Sequence, residues 1–186
     1  MAPLSLNNNN EKIELTILRN LFFNEDYTRK VLPFLNPIYF SQRNERELYI
    51  ELEKFIHKYK NLPTKEAILI ELNNRKDINE EEHKNIKELI NTISYEEVDL
   101  QWLLDTTERF CKDRAVHNAV LDGIKILDGK DNKRTQEAIP SILADALAVS
   151  FDNHIGHDYI EDAEARFKYY HTKEKKYQFD LSYFNA

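Results

Sequence analysis

Apolar residues in the first half of the chain recur at helical spacing and are interrupted at polar or proline-containing breaks. The first such segment carries Ile13, Ile17 and Leu21, and Asn10 is its expected N-terminal cap. Further segments of the same kind are expected to begin at Asn24, Ser41, Thr64 and Asn79. No segment shows the period-two alternation of a strand. The pattern therefore predicts a small helical bundle over residues 1–95.

A much longer helix is predicted after Asp99, because roughly 28 residues run to Leu127 without a proline. One side of this helix carries Leu100, Leu103, Leu104, Thr107, Phe110, Cys111 and Leu121. The nearly opposite side carries Trp102, Val116, Val120, Ile124 and Leu127. A helix that is apolar on two sides must be covered on two sides.

The next segment predicts a returning helix and so a helical hairpin over residues 96–150. A polar turn precedes it, and Pro140 is expected either in its first turn or at a kink. One returning helix cannot cover both sides of the long one, so the first bundle or a second copy of the chain must cover the other side. We favour a second copy. The predicted self-association residues are Trp102, Val116, Val120, Ile124, Leu127, Leu143 and Leu147.

Residues 151–186 are predicted to form a linker region with one amphipathic helix at residues 158–171. Its apolar stripe consists of Ile160, Ala163, Phe167 and Tyr170. A helix of about 14 residues is marginal alone, so it needs a docking surface. We expect this stripe to dock on another subunit, with Arg166 as a nearby polar contact.

Composition favours an interaction module without a catalytic centre. The chain is 41% hydrophobic and 32% charged, with a net charge of −7 that argues against a surface built mainly for phosphates. No stretch of about 18 apolar residues is present, so we expect no membrane span. The single cysteine excludes an internal disulfide.

Candidate chemistry is sparse. The sequence has no GxxxxGK[ST] phosphate loop. His154 and His157 have the composition of a metal site but lack a second pair of ligands at defined spacing. We therefore predict no catalytic, cofactor-binding or metal-binding residue. The lysines between Lys173 and Lys176 precede aromatic residues and leave nucleic-acid contact open, although a basic linker is the favoured interpretation.

Three groups of short motifs stand out along the chain. The first lies around the predicted linker and consists of Ala148-Val149-Ser150-Phe151-Asp152, Gly156-His157-Asp158 and Glu164-Ala165-Arg166-Phe167. The second lies in the hairpin and consists of Trp102-Leu103, Thr107-Glu108, Arg114-Ala115, Asn118-Ala119, Ala138-Ile139-Pro140 and Asp145-Ala146-Leu147. Looser motifs lie in the bundle and at Phe179-Asp180-Leu181. Together these motifs resemble the DnaB-type hexameric helicases, in particular the N-terminal and linker regions of replicative helicases from T-even-type phages.

The resemblance implies the N-terminal collar of a replicative motor. In such proteins the collar pairs through its hairpins, contributes to a hexameric ring and contacts primase, while the linker helix docks on a neighbouring ATPase domain. It further implies a helicase loader as partner, single-stranded DNA inside the ring, and a location in the host cytoplasm. ATP, Mg²⁺ and 5′–3′ DNA helicase activity are expected of a RecA-type domain beyond residue 186, not of these residues. The alternatives are a stand-alone helical adaptor and a small nucleic-acid-binding accessory protein.

Overall fold

The computed structural model describes residues 7–131 and 133–151. All regular structure in these residues is helical, which confirms the all-α prediction of a bundle followed by a hairpin. The helices are α1 (Asn7–Phe23), α2 (Glu25–Val31), α3 (Arg43–Tyr59), α4 (Lys65–Asn73), α5 (Glu80–Thr92), α6 (Leu100–Leu127) and α7 (Ile139–Leu147). Short 3-10 turns cover Leu32–Phe34, Pro37–Tyr39 and Gln136–Ala138. The predicted linker helix at residues 158–171 lies outside the described residues.

Side-chain caps fix most of the helix starts. The side chains of Asn24, Thr64 and Asp99 each accept a hydrogen bond from the backbone N–H three residues later. Asn79 and Glu82 form a reciprocal capping box at the start of α5. Each of these caps satisfies a backbone donor that the helix itself cannot pair.

Two predicted starts are wrong. Helix α1 begins at Asn7, so Asn10 lies inside the helix and does not cap it. Helix α3 begins at Arg43 with Gln42 as its cap, two residues after the predicted start at Ser41. Ser41 does not start the helix. Its backbone N–H and its hydroxyl both donate hydrogen bonds to the carboxylate of Glu14 on α1.

The bundle core lies where α1, α2, α3 and α5 meet. Its fully buried side chains include Ile17, Leu18, Leu21, Tyr27, Phe40, Leu48, Tyr49, Leu52, Ile86 and Ile90. Helix α4 packs against α3 and α5. Arg75, just after α4, reaches back to α3 and pairs with Glu47 at 2.7 Å and Glu51 at 3.5 Å.

The first half of α6 packs on this bundle. The hydroxyls of Tyr27 and Thr107 are hydrogen bonded at 2.8 Å. Thr107 donates its own proton to the Leu103 carbonyl, so Tyr27 is the donor. Further along α6, Arg114 donates to the Tyr39 carbonyl at 2.6 Å. The side of α6 that carries Leu103 and Thr107 therefore faces the bundle.

Helix α7 folds back on the second half of α6. Pro140 lies in its first turn, where its missing N–H costs no hydrogen bond. Gly129, just after α6, has a φ of 68°, a conformation that side-chain-bearing residues rarely adopt. The chain can thus reverse direction immediately after the helix. The predicted division into residues 1–95, 96–150 and 151–186 stays a prediction.

Candidate self-association surface on the helical hairpin

The buried side of α6 changes along the helix. In the first half, Leu103, Phe110 and Cys111 are buried. In the second half, the buried positions are occupied by the small residues Ala115, Ala119 and Gly123. Gly123 contacts α7 closely enough that a Cβ there would lie 3.6 Å from Ile139 Cγ2. Because α6 extends past the bundle, its second half is covered mainly by α7.

The remaining side of this second half forms the α6 outer face, which consists of Val120, Leu121, Ile124 and Leu127. Val120, Ile124 and Leu127 follow the i, i+4, i+7 spacing of one helical stripe, and Leu121 lies next to it. Ile124 is 49% exposed and Leu127 is 59% exposed. Four large aliphatic side chains in one patch are a candidate interaction surface.

Charged residues border the α6 outer face near the hairpin turn. Asp122 accepts from Lys125 at 3.1 Å and from Arg134 at 2.9 Å. Arg134 also pairs with Asp131 at 2.7 Å. The pKa of Asp122 is lowered mainly by Arg134, and that of Asp131 mainly by the Lys133 backbone N–H and then by Arg134. An apolar patch with a polar rim is the usual composition of a protein interface.

The other residues predicted for self-association lie elsewhere. Val116 and Leu143 are half-buried against the core, while Leu147 on α7 is 72% exposed. Trp102 is 54% exposed but lies beside Lys12 and Ile13 of α1. Eighteen residues of helix separate Trp102 from Val120, which is about 27 Å. The structure thus brings together Val120, Ile124 and Leu127, and it places Trp102 apart from them.

The residues that follow α7 contact both the bundle and α6, and the sequence analysis did not predict these contacts. Phe151 stacks on Phe34 with ring centroids 4.7 Å apart. One oxygen of Glu108 accepts from the Ser150 hydroxyl and from the Phe151 N–H. The pKa of Glu108 is lowered chiefly by its hydrogen bond with Lys112, which lies 2.7 Å away. The five residues predicted for linker docking, Ile160, Ala163, Arg166, Phe167 and Tyr170, lie outside the described residues.

A buried acidic pair was also missed. Glu14 is fully buried on α1 and accepts from Ser41 at 2.8 and 3.0 Å. Glu45, in the first turn of α3, is 9% exposed. Burial raises the pKa of the Glu45 carboxyl most, and Glu14 and Glu11 raise it further. A hydrophobic-pattern analysis cannot find such a pair because it treats both positions as surface.

The described residues contain no group of three or more His, Cys, Asp and Glu side chains placed to hold a metal ion. His154 and His157 lie outside them. Cys111 is buried, and burial raises its pKa to about 12. None of the helices in residues 7–131 and 133–151 has the length and apolarity that crossing a membrane requires.

The described residues thus form an all-α fold with an exposed aliphatic face on its long helix. No protein-family model matches the chain. The chain is 32% identical to a DnaB-like replicative helicase of Enterobacteria phage T4, over an alignment of 177 positions that covers 91% of this chain. The resemblance to DnaB-like replicative helicases is thereby confirmed. The chain spans about 37% of the length of that relative.

Proposed function

We propose that this chain is the collar region of a hexameric replicative DNA helicase, in which copies pair through their helical hairpins. The observation that carries this proposal is the α6 outer face, where four large aliphatic side chains lie exposed beyond the bundle. The sequence relationship to a DnaB-like replicative helicase supports the same assignment.

The rest of the proposal concerns the complete protein. The collar would hold the ring together and offer a surface to primase and to a helicase loader, with single-stranded DNA passing through the ring. ATP and Mg²⁺ would be used by a RecA-type motor domain outside these 186 residues. The segment at residues 158–171 would dock on a neighbouring subunit through Phe167 and Tyr170. We place this machinery in the host cytoplasm.

The size of the face sets how strong the pairing can be. Burying the exposed part of each aliphatic side chain contributes about 1 kcal/mol, so two copies gain on the order of 8 kcal/mol. Association costs roughly 4 kcal/mol or more in lost freedom of motion. The collar alone should therefore dimerise weakly. In a ring, the rest of the free energy of assembly would come from the other contacts between subunits.

Sedimentation velocity over a concentration series tests this proposal. The wild-type chain is expected to gain mass as its concentration approaches about 1 mM, the dissociation constant that a net gain of about 4 kcal/mol implies. Val120→Glu and Ile124→Glu should keep the monomer mass, because each would bury an unpaired carboxylate in the contact. Ile70→Glu is the matched control, since Ile70 is 62% exposed on α4, away from the hairpin.

Two outcomes would contradict the pairing. Variants at Val120 and Ile124 that associate as strongly as the wild type would show that the α6 outer face is not the contact. Loss of association in Ile70→Glu alone would move the contact to the bundle. Circular dichroism must show equal helicity in all variants, so that unfolding is excluded as the cause.

A further inference from the structure

A second apolar surface lies on the bundle, away from the α6 outer face. It is a solvent-open groove of about 430 Å³ between α2 with its following 3-10 turn and the end of α3. Four apolar residues line it: Leu32, Pro33, Ile56 and Leu62. Its volume lies in the range of roughly 300–1,000 Å³ that is usual for binding pockets. None of the residues that line the groove belongs to the α6 outer face.

The rim of the groove carries more basic than acidic side chains, although the chain as a whole is acidic. Arg29, His57 and Lys60 line it together with Glu25, which forms an ion pair with Arg29. The chain between Lys54 and Leu62 contains three lysines and one histidine and no carboxylate, whereas the net charge of the chain is −7. Lys60 makes no ion pair among the residues that the structure describes. A partner with negative charges beside apolar anchors would complement both parts of the surface.

The shape and chemistry of the groove narrow the class of partner. Strand addition needs a sheet edge, and the described residues form no sheet. Proline-rich peptides and nucleic-acid bases both stack on aromatic rings, whereas the floor of the groove is aliphatic. The remaining mode is an amphipathic helix that lays its apolar side into the groove.

We propose that the groove between α2 and the end of α3 binds an acidic amphipathic helix of a partner protein. Leu and Phe side chains of that helix would fill the space between Leu32, Ile56 and Leu62. Its carboxylates would lie against Lys60, because Arg29 is already paired with Glu25. The site is independent of hairpin pairing, so either interaction can fail without the other.

Fluorescence anisotropy with labelled designed peptides tests the site. The first probe is a 16-residue helix with Leu and Phe at i, i+4 and i+7 and Glu at the exposed positions. The second keeps the apolar residues and replaces Glu with Lys. The full chain should bind the acidic peptide at least about tenfold more tightly than the basic one, and added salt should reduce the difference.

Two substitutions and two matched controls locate the binding. Lys60→Glu should weaken binding of the acidic peptide about tenfold, whereas Lys87→Glu makes the same charge change on α5 and should leave it unchanged. Ile56→Asp should weaken binding, and Ile70→Asp, on an exposed part of α4, should not. If Ile56→Asp fails to fold, the comparison of Lys60→Glu with Lys87→Glu still tests whether the peptide binds in the groove.

Methyl NMR of the wild-type chain completes the experiment. The acidic peptide should shift the resonances of Ile56, Leu32 and Leu62. Equal binding of both peptides, or binding that Lys60→Glu leaves intact, would overturn the proposal. So would shifts at Ile56 and Leu62 produced by labelled oligo-dT in the absence of any peptide binding, because the groove would then be a nucleic-acid site.

Discussion

Replacing Glu45 with glutamine is expected to stabilise the protein near neutral pH and to flatten the dependence of its stability on pH. Burial next to Glu14 raises the pKa of Glu45 from 4.5 to about 9. The folded state therefore holds this proton over a pH range in which the unfolded chain has released it. Stability from this group is complete at acidic pH and is lost as the pH rises toward 9.

The magnitude follows from linkage. One extra proton in the folded state lowers the free energy of unfolding by about 1.4 kcal/mol for each pH unit. Between pH 5 and pH 7 the wild type should thus lose about 3 kcal/mol through Glu45. Glutamine is nearly isosteric and does not titrate, so Glu45→Gln should lack this loss.

Urea unfolding followed by circular dichroism at several pH values measures both effects. The control is Glu88→Gln, because Glu88 lies on the neighbouring α5, is 64% exposed at its side chain and forms only a long 3.9 Å pair with Lys84. Its stability curve should run parallel to that of the wild type. If the curves for Glu45→Gln and the wild type are also parallel, Glu45 does not hold a proton in the folded state and the reasoning is wrong.

Three further predictions concern single side chains. Tyr27→Phe removes the hydrogen bond to Thr107 between the bundle and α6, and chemical denaturation should show a loss of about 1 kcal/mol; an unchanged midpoint would refute this. Lys60 has a φ of 53° at the end of α3, so Lys60→Gly should raise the free energy of unfolding by about 1 kcal/mol, and a decrease would show that its side chain is needed for folding. The pKa of Cys111 is raised to about 12 by burial and by Glu108. Its reaction with a thiol reagent at pH 8 should be at least about a thousandfold slower in the native protein than in denaturant, and rapid native labelling would mean that α6 separates from the bundle.

Local patterns predicted the elements of this fold well. The helix starts at Asn24, Thr64, Asn79 and Asp99 were predicted because a side-chain cap acts over three residues and so is visible in a short window. The start of α3 was misassigned because Ser41 makes its hydrogen bonds to Glu14, which lies 27 positions earlier in the chain. A contact of that range leaves no trace in the local pattern.

The candidate surface was only partly predictable. Helical angles separate two apolar sides of α6, but they cannot show where the bundle ends along it. Leu121 was grouped with Leu103 and Phe110, yet it is 43% exposed because it lies in the half of α6 that extends past the bundle. Val116 was grouped with Val120 and Ile124, yet it packs against the core. The groove on the bundle depends on how α2 and the end of α3 pack together. The periodicity of apolar residues within each helix carries no information on that packing.

Paramagnetic relaxation between copies of the chain is the most direct test of hairpin pairing. Asp128→Cys places a spin label at the hairpin turn, and buried Cys111 should stay unlabelled. Spin-labelled chain is mixed with isotope-labelled chain, so that only contacts between copies broaden signals. Broadening at residues 116–127, with the bundle unaffected, is the result that hairpin pairing predicts. Broadening confined to the bundle, or none at a concentration where sedimentation shows dimers, would contradict it.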